Sequence, residues 1–321
     1  MKRTTFLATT SGTIVAASLV GIARAADSEI TLATATGSIY GTLTLPEKLP
    51  APAVLIIAGS GPTDRNGNND PVQANTYALL AAALVARGIA TVRYDKRGIA
   101  ASAAAGPPED DLRFDMYVDD AAAWLRMLAA DKRFSKIVVA GHSEGSLLGM
   151  LAVQRAPATA YVSLEGAGRQ APAILREQLK PKLPAALYAQ ADAALTQLSQ
   201  GHMVPNPPTE LASLFRPSVQ PYLISWFKYD PAVEMAKMKI PATIVQGTAD
   251  VQVTLADANA LKQADPSASL VVVQGMNHVL KHAPDTSSQA AILKGYTDSS
   301  LPIDPRVVEA IVAASESIAG A

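Results

Sequence analysis

Residues 135–150 read SKIVVAGHSEGSLLGM. A short apolar strand through Ile137, Val138, Val139 and Ala140 runs into Gly141-His142-Ser143-Glu144-Gly145, and an apolar helix follows. This is G-x-S-x-G in the strand–turn–helix setting of a nucleophile elbow. So sharp a turn strains the serine backbone, and side chains two residues to either side would collide with the strand and the helix. Glycine at 141 and 145 removes those collisions. The turn lifts the Ser143 hydroxyl above the C-terminal edge of a sheet, at the start of a helix, where the N–H of Glu144 can face a developing oxyanion.

Around this centre the chain alternates strands and helices. Ile30 to Leu45 alternates apolar and polar residues about Gly37-Ser38, which predicts an opening antiparallel hairpin. Residues 53–58 are a continuous apolar run, as a buried parallel strand is, and residues 90–94 are the next strand. The first runs into a long polar loop, residues 59–70, at the strand end where open α/β sheets bind ligands. Helices are predicted over 77–87, ending at Gly88, and over 115–130, with a small-residue loop at 101–108 between them. A strand at 159–164 is followed by a break in the rhythm. Residues 170–231 carry helical spacing interrupted by seven prolines from Pro172 to Pro217, which predicts short helices packed over the sheet rather than a separate domain. The sheet resumes at 243–246 and 270–273 with a helix near 256–263 between, and a last helix over 305–318 takes Asp304 as its N-cap.

A serine needs a base, and the base an orienting acid. Of the four histidines, His142 lies inside the elbow with its side chain directed away from that of Ser143, and His202 lies in the proline-rich insert. His278, in Gly275-Met276-Asn277-His278, follows the final apolar strand and is the best base. Asp250, in the loop after residues 243–246, is the matching acid, with Glu165 after the preceding strand as the alternative place for it. The chain order Ser143, Asp250, His278 is that of an α/β-hydrolase.

GHSEG, QGTAD and GMNH in this order, on this strand rhythm, resemble the α/β-hydrolase superfamily across nearly all of residues 26–321. GSGPTDRNGN, RYDKRG and WFKYDP resemble its bacterial esterase and serine aminopeptidase-like group. The resemblance implies a mostly parallel sheet flanked by helices, with a helical cap inserted after the sixth strand. It also implies that Ala58-Gly59-Ser60 stands where related enzymes carry His-Gly-x, so that the N–H of Ser60 is the second oxyanion donor beside that of Glu144. Alanine at 58 is a departure from that pattern. The implied activity is hydrolysis of carboxylic esters of small to medium size, with peptide, thioester and lactone hydrolysis as rivals on the same residues. A catalytically inactive binding protein on the same scaffold is the rival from another class.

Several further residues have a structural reading and a functional one. The Glu144 side chain is expected to face solvent, the alternative being a contact to a cationic substrate group. Asp64 and Arg65 are expected to fix their loop, and Asp95, Lys96 and Arg97 to act as loop scaffolding. His278 and His282 are four apart, but no acid lies between them and Pro284 follows, so His282 is read as a surface residue and no metal is expected. Tyr222, Trp226, Phe227 and Tyr229 either line an acyl pocket or pack the inserted helices onto the sheet.

Composition narrows the class. Of 321 residues, 49% are hydrophobic and 17% charged, as in a well-packed globular protein. A formal net charge of −1 carries no nucleic-acid footprint and no polybasic membrane patch. The absence of cysteine excludes disulfides, thiolate metal sites, a cysteine nucleophile and a lipoprotein-type cysteine anchor. Lys2 and Arg3, the apolar run 14–22 and Ala23-Arg24-Ala25 predict a cleaved export signal over residues 1–25 and a periplasmic or secreted protein without a stable membrane anchor. No cofactor is expected, the partner is a small-molecule ester, and no oligomeric state is assigned.

Overall fold

The computed structural model describes residues 27–70 and 72–316. The expected export signal, residues 1–25, lies outside them. Eight strands form one sheet: β1 (Asp27–Thr34), β2 (Gly37–Thr44), β3 (Ala51–Ile57), β4 (Ala90–Tyr94), β5 (Phe134–His142), β6 (Ala160–Leu164), β7 (Ala242–Gly247) and β8 (Ser269–Val273). Their spatial order is β1-β2-β4-β3-β5-β6-β7-β8. The opening hairpin and its junction with β4 are antiparallel, and every later pairing is parallel. The hairpin turns at Ala35 and Thr36, two residues earlier than the Gly37-Ser38 expected, and Gly37 opens β2.

Helices cover both faces, which explains why the central strands read as continuous apolar runs. Before the elbow come α1 (Thr76–Val85) and α2 (Phe114–Ala130), and α3 (Glu144–Val153) leaves the elbow itself. The period of two along a strand divides its side chains between two cores. Val54, Ile56, Val138 and Ala140 join Tyr77, Leu80 and Leu84 of α1 on one face. On the other, Ala53, Leu55, Ile57, Ile137 and Val139 join Trp124 and Leu125 of α2 and Leu148 of α3. Residues 100–105, expected as a loop, form a 3-10 turn. Alanine resists helical winding little, and the turn is held by Ser102, whose hydroxyl accepts the N–H of Tyr40 at 2.9 Å.

Between β6 and β7 the chain forms α4 (Ala171–Leu179), α5 (Ala185–Ser199), α6 (Ala212–Phe215), α7 (Gln220–Phe227) and α8 (Pro231–Met235). This is the helical cap after the sixth strand. Then come α9 (Leu255–Ala264), α10 (Gln289–Thr297) and α11 (Pro305–Glu316). In α11 the Asp304 side chain accepts the N–H of Arg306 at 3.0 Å, as an N-cap does, and Val307 and Ile311 pack into the core on the α1 face. Helix α10 has no counterpart in the sequence reading. Its apolar residues, Ala290 to Leu293, run consecutively rather than at helical spacing and only Gly295 is buried, and Ser288 starts it by accepting the N–H of Ala291 at 3.1 Å.

Candidate active site

Six loops leave the C-terminal ends of the parallel strands and meet at one edge. At the elbow Ser143 has φ 55° and ψ −120°, a strained conformation for a residue with a side chain. A Cβ on Gly141 would lie 2.2 Å from the carbonyl oxygen of Gly145, and one on Gly145 would lie 2.3 Å from that of Ile57 in β3. Both glycines are therefore required by close backbone approach. The Ser143 N–H donates to the carbonyl of Leu164 at 2.9 Å, which fixes the elbow to the end of β6.

The structure brings Asp250 and His278 together. His278 Nδ1 lies 2.6 Å from Asp250 Oδ2, and Asp250 Oδ1 accepts the N–H groups of Gln252 at 2.7 Å and Val253 at 3.0 Å. Burial opposes the charge on Asp250, but His278, Glu165 and the Gln252 N–H hold its carboxyl below the usual carboxylate range. Glu165 behaves oppositely. It is fully buried, its Oε1 accepts the Gly247 N–H at 2.8 Å, and the Gln246 amide donates to its other oxygen. Desolvation, reinforced by the charge of Asp250, pushes its carboxyl well above the usual range.

Ser143 and His278 line the same cavity of about 180 Å³, together with Gly59, Ser60, Tyr77, His142 and Tyr296. Among the described residues the Ser143 hydroxyl takes up no hydrogen bond. His142 lines the same cavity, its ring 4.8 Å from that of His278. Its Nε2 donates to the carbonyl of His278 at 2.7 Å and its Nδ1 accepts the Tyr77 hydroxyl at 2.8 Å. Burial, with the neighbouring His278, lowers its pKa to about 3, so the ring is neutral. The Tyr77 hydroxyl in turn accepts the N–H of Gly59 at 2.9 Å. The His278 loop and the loop after β3 are thus wired together through two buried side chains.

Two further cavities open on Ser60. One, of about 80 Å³, also reaches Ser143 and is walled by Leu147, Ala171, Ile174, Leu175, Trp226 and Val253. The other, of about 690 Å³, runs under the cap past Lys96, Leu112, Tyr117, Tyr222, Leu223 and Trp226. The aromatic cluster therefore divides. Tyr222 and Trp226 line cavities. Phe227 is buried against the cap, and Tyr229 packs on Phe114 while its hydroxyl donates to Asp115.

One expectation is corrected. The Glu144 side chain does not face solvent: it is buried, 3.3 Å from Lys96 Nζ, with its charge felt by the phenol of Tyr222. A helix-start acid reads as solvated, but a cation from β4 and a phenol from the cap close over this one. Lys96 holds the loop after β3, its ammonium also donating to the Gly59 carbonyl at 2.6 Å. Its neighbours scaffold as well. Asp95 accepts the Arg65 N–H at 2.7 Å, and Arg97 grips Asp120 at 2.5 and 2.7 Å. Asp64 accepts the N–H groups of Asn66 and Asn68, a loop-fixing arrangement. His202 and His282 are exposed. Among the described residues no group of three or more histidine, aspartate or glutamate side chains is placed to hold a metal, and no helix is long and apolar enough to cross a membrane. Sequence reasoning missed Tyr77, Gln252 and Tyr296 as walls of the site.

Known proteins match this architecture. The curated relative Esterase EstD of Thermotoga maritima is 26% identical over 276 residues, covering 84% of this chain, which spans 64% of that relative's length. Among solved structures, Est1E from Butyrivibrio proteoclasticus with ferulic acid bound is similar at a TM-score of 0.59 and 18% identity, covering 88% of this chain and 99% of that one. The α/β hydrolase GrgF from a Penicillium species follows at 0.54 and 19%, with 85% and 99% covered. Both structural likenesses are to the fold. Residues 72–299 match the model of the serine aminopeptidase S33 (Hydrolase_4) family, and the chain belongs to this family of α/β hydrolases.

Proposed function

We propose that the protein is a serine hydrolase that cleaves carboxylic esters of small to medium size through an acyl-enzyme intermediate. The observation that carries this is one juxtaposition: a serine strained at an elbow, sharing a cavity with a histidine whose far nitrogen is bound to a buried carboxylate. Ser143 attacks the ester carbonyl while His278 takes its proton. Asp250 holds the imidazole tautomer and stabilises the imidazolium. The N–H groups of Ser60 and Glu144 bind the tetrahedral oxyanion, and neither has an acceptor among the described residues. His278 then protonates the leaving alcohol and activates the water that releases the acid.

Esters are favoured over peptides by the state of the nearby carboxylates. An aminopeptidase needs an acid free to hold the substrate's α-amino group. Glu144 is paired with Lys96, Glu165 is fully buried beside Asp250, and Glu109, at the rim of the large cavity, binds Arg216 and Ser218. Walls of Leu147, Ile174, Leu175 and Trp226 suit a short apolar group.

The test is active-site labelling with a fluorophosphonate beside a panel of nitrophenyl esters, nitrophenyl thioesters, lactones and aminoacyl nitroanilides. We expect Ser143 to be the labelled residue, and Ser143→Ala to fold normally while losing turnover by a factor on the order of 10³ or more. Near wild-type turnover in that variant would sink the proposal, and faster cleavage of nitroanilides than of butyrate-sized esters would replace it with the peptidase reading.

A further inference from the structure

Gly59 and Ser60 leave β3 at the sheet edge carrying four backbone polar groups. Three are held: the Gly59 N–H by the Tyr77 hydroxyl at 2.9 Å, the Gly59 carbonyl by Lys96 at 2.6 Å, and the Ser60 carbonyl by the Thr63 hydroxyl at 3.1 Å. The fourth, the Ser60 N–H, has no acceptor among the described residues, and Ser60 lines the cavities that hold Ser143. A trans peptide is planar, with its C=O and N–H on opposite sides. A cation fixed on the Gly59 oxygen therefore fixes the direction of the Ser60 N–H. By drawing electron density toward the oxygen, it also makes that N–H a stronger donor.

Strand order puts the cation there. β4, β3 and β5 are neighbours in that sequence across the sheet, with strands about 4.8 Å apart. Lys96, just past β4, reaches over the end of β3 to Glu144, just past β5, and meets the Gly59 carbonyl on the way. Lys96 is 2% exposed, and its ammonium lies 5.0 Å from the centre of the Tyr117 ring. Glu144, its counter-ion, is the residue whose N–H opens α3 beside Ser143. A buried ion pair is a poor source of stability compared with apolar packing, which points beyond loop fixing.

We infer that Lys96 is a positioning residue for the oxyanion site: it orients and polarises the Gly59–Ser60 peptide toward the tetrahedral oxygen, and Glu144 holds it in place. This rests on the serine-esterase reading above.

The experiment compares the full-length wild type with Lys96→Met, Glu144→Gln and the double variant Lys96→Met/Glu144→Gln. It reads thermal stability, kcat and KM on a short nitrophenyl ester, and the inhibition constant of a trifluoromethyl ketone. In that adduct the serine oxygen bonds to the carbonyl carbon, His278 takes the hydroxyl proton, and the carbonyl π pair becomes an oxyanion where the ester's would form. Lys96→Met should lose stability, because Glu144 is left unpaired. Its kcat should fall about 10²-fold with KM within about threefold, and the ketone should bind weaker by a similar factor. The double variant should regain stability, since no buried charge remains, without regaining kcat or ketone affinity. Glu144→Gln, which keeps Lys96 on the carbonyl, should lose about tenfold or less. Recovery of kcat and ketone affinity together with stability in the double variant overturns the inference, as does unchanged ketone affinity in Lys96→Met. If Lys96→Met alone does not fold, the double variant carries the same comparison against wild type. Retained turnover in Ser143→Ala would instead remove the serine reading itself, so that variant is assayed first.

Discussion

At the sheet edge, position is set by backbone and by buried pairs: Gly141 against Gly145, Lys96 against Glu144, His142 against Tyr77, Asp250 against His278. In the cap, the ion pairs reach the rest of the domain through partly exposed side chains, while the buried Gln220 amide ties Val204 to Phe215 within it. Arg216 and Ser218 reach Glu109, Lys228 reaches Asp115 at 2.7 Å, and Arg169 joins Glu177 and Asp257. Surface pairs of this kind contribute about 0–1 kcal/mol each, whereas removing one partner of a buried pair costs about 3–5 kcal/mol. What registers the cap is apolar instead, with Trp226 stacked on Phe114 of α2 at 5.9 Å and 7°. The edge is therefore built to hold atoms still and the cap to shape a volume. Substitutions at the edge should act on kcat, and substitutions in the cap on which substrate is preferred.

The largest effect that could break this division lies in the two acids. Asp250→Asn should lower turnover by about 10³–10⁴-fold, because an amide cannot hold the His278 tautomer as the carboxylate does. Glu165→Gln should keep turnover within about tenfold, since burial and Asp250 disfavour a charge on Glu165 and glutamine is its neutral isostere. The Gln246 Oε1, buried without a partner, can rotate to accept the new amide. Side-by-side kcat values decide the matter, and a greater loss at Glu165 would transfer the acid's role to it.

Much of the edge was legible because each part is local. GHSEG announces its own strain, and QGTAD and GMNH follow apolar runs short enough to be strands. The alternation of Val54 and Ile56 with Ala53, Leu55 and Ile57 needs only a covered parallel sheet. The burial of Glu144 was not legible in this way. It depends on Lys96, 48 residues upstream, and on Tyr222 from the cap, and no window of sequence contains all three. A signal did exist, in opposite charges placed directly after two strands that flank a third, but it appears only once strand order is known. Tyr296 was missed because α10 lacks the periodicity that marks a packed helix.

A smaller effect separates the edge's wiring from its chemistry. His142 is buried neutral with a pKa of about 3 against 6.5 in the unfolded chain. Between those values the unfolded state binds the extra proton, so this group's contribution to stability is complete above about pH 6.5 and is lost as pH falls toward 3. From pH 7 to pH 5 the linkage amounts to about 2 kcal/mol. His142→Gln cannot titrate. It should start less stable at pH 7, having lost a buried hydrogen bond, yet decline less by about that amount over the same interval. Denaturant unfolding of both proteins at the two pH values measures the difference, and parallel declines would show that His142 is not buried neutral.

The smallest effect tests the cap, and here the observable is a preference rather than a rate. Trp226 borders both the 80 Å³ pocket beside Ser143 and the 690 Å³ cavity under the cap. Its indole is one of the walls that end the smaller pocket. Each methylene of a substrate chain that finds apolar cover contributes about 0.8 kcal/mol, roughly fourfold in kcat/KM, until the pocket ends and the next carbon must displace protein or return to water. For wild type, kcat/KM over a series of nitrophenyl esters should therefore rise by about that factor per carbon and then fall. Trp226→Ala joins the two cavities, so the maximum should move to longer chains by a few carbons. Short esters should lose about tenfold through the packing they no longer meet. The stack on Phe114 is lost as well, but Phe114 keeps Tyr222 and Tyr229 as neighbours at 6.1 and 5.7 Å, so α7 retains its seat. If the edge alone holds the reacting atoms, kcat at the new optimum should match that of wild type within about threefold. A uniform fall in kcat with no change in the preferred length would mean that the cap positions the reacting atoms too, and the division between the two regions would not hold.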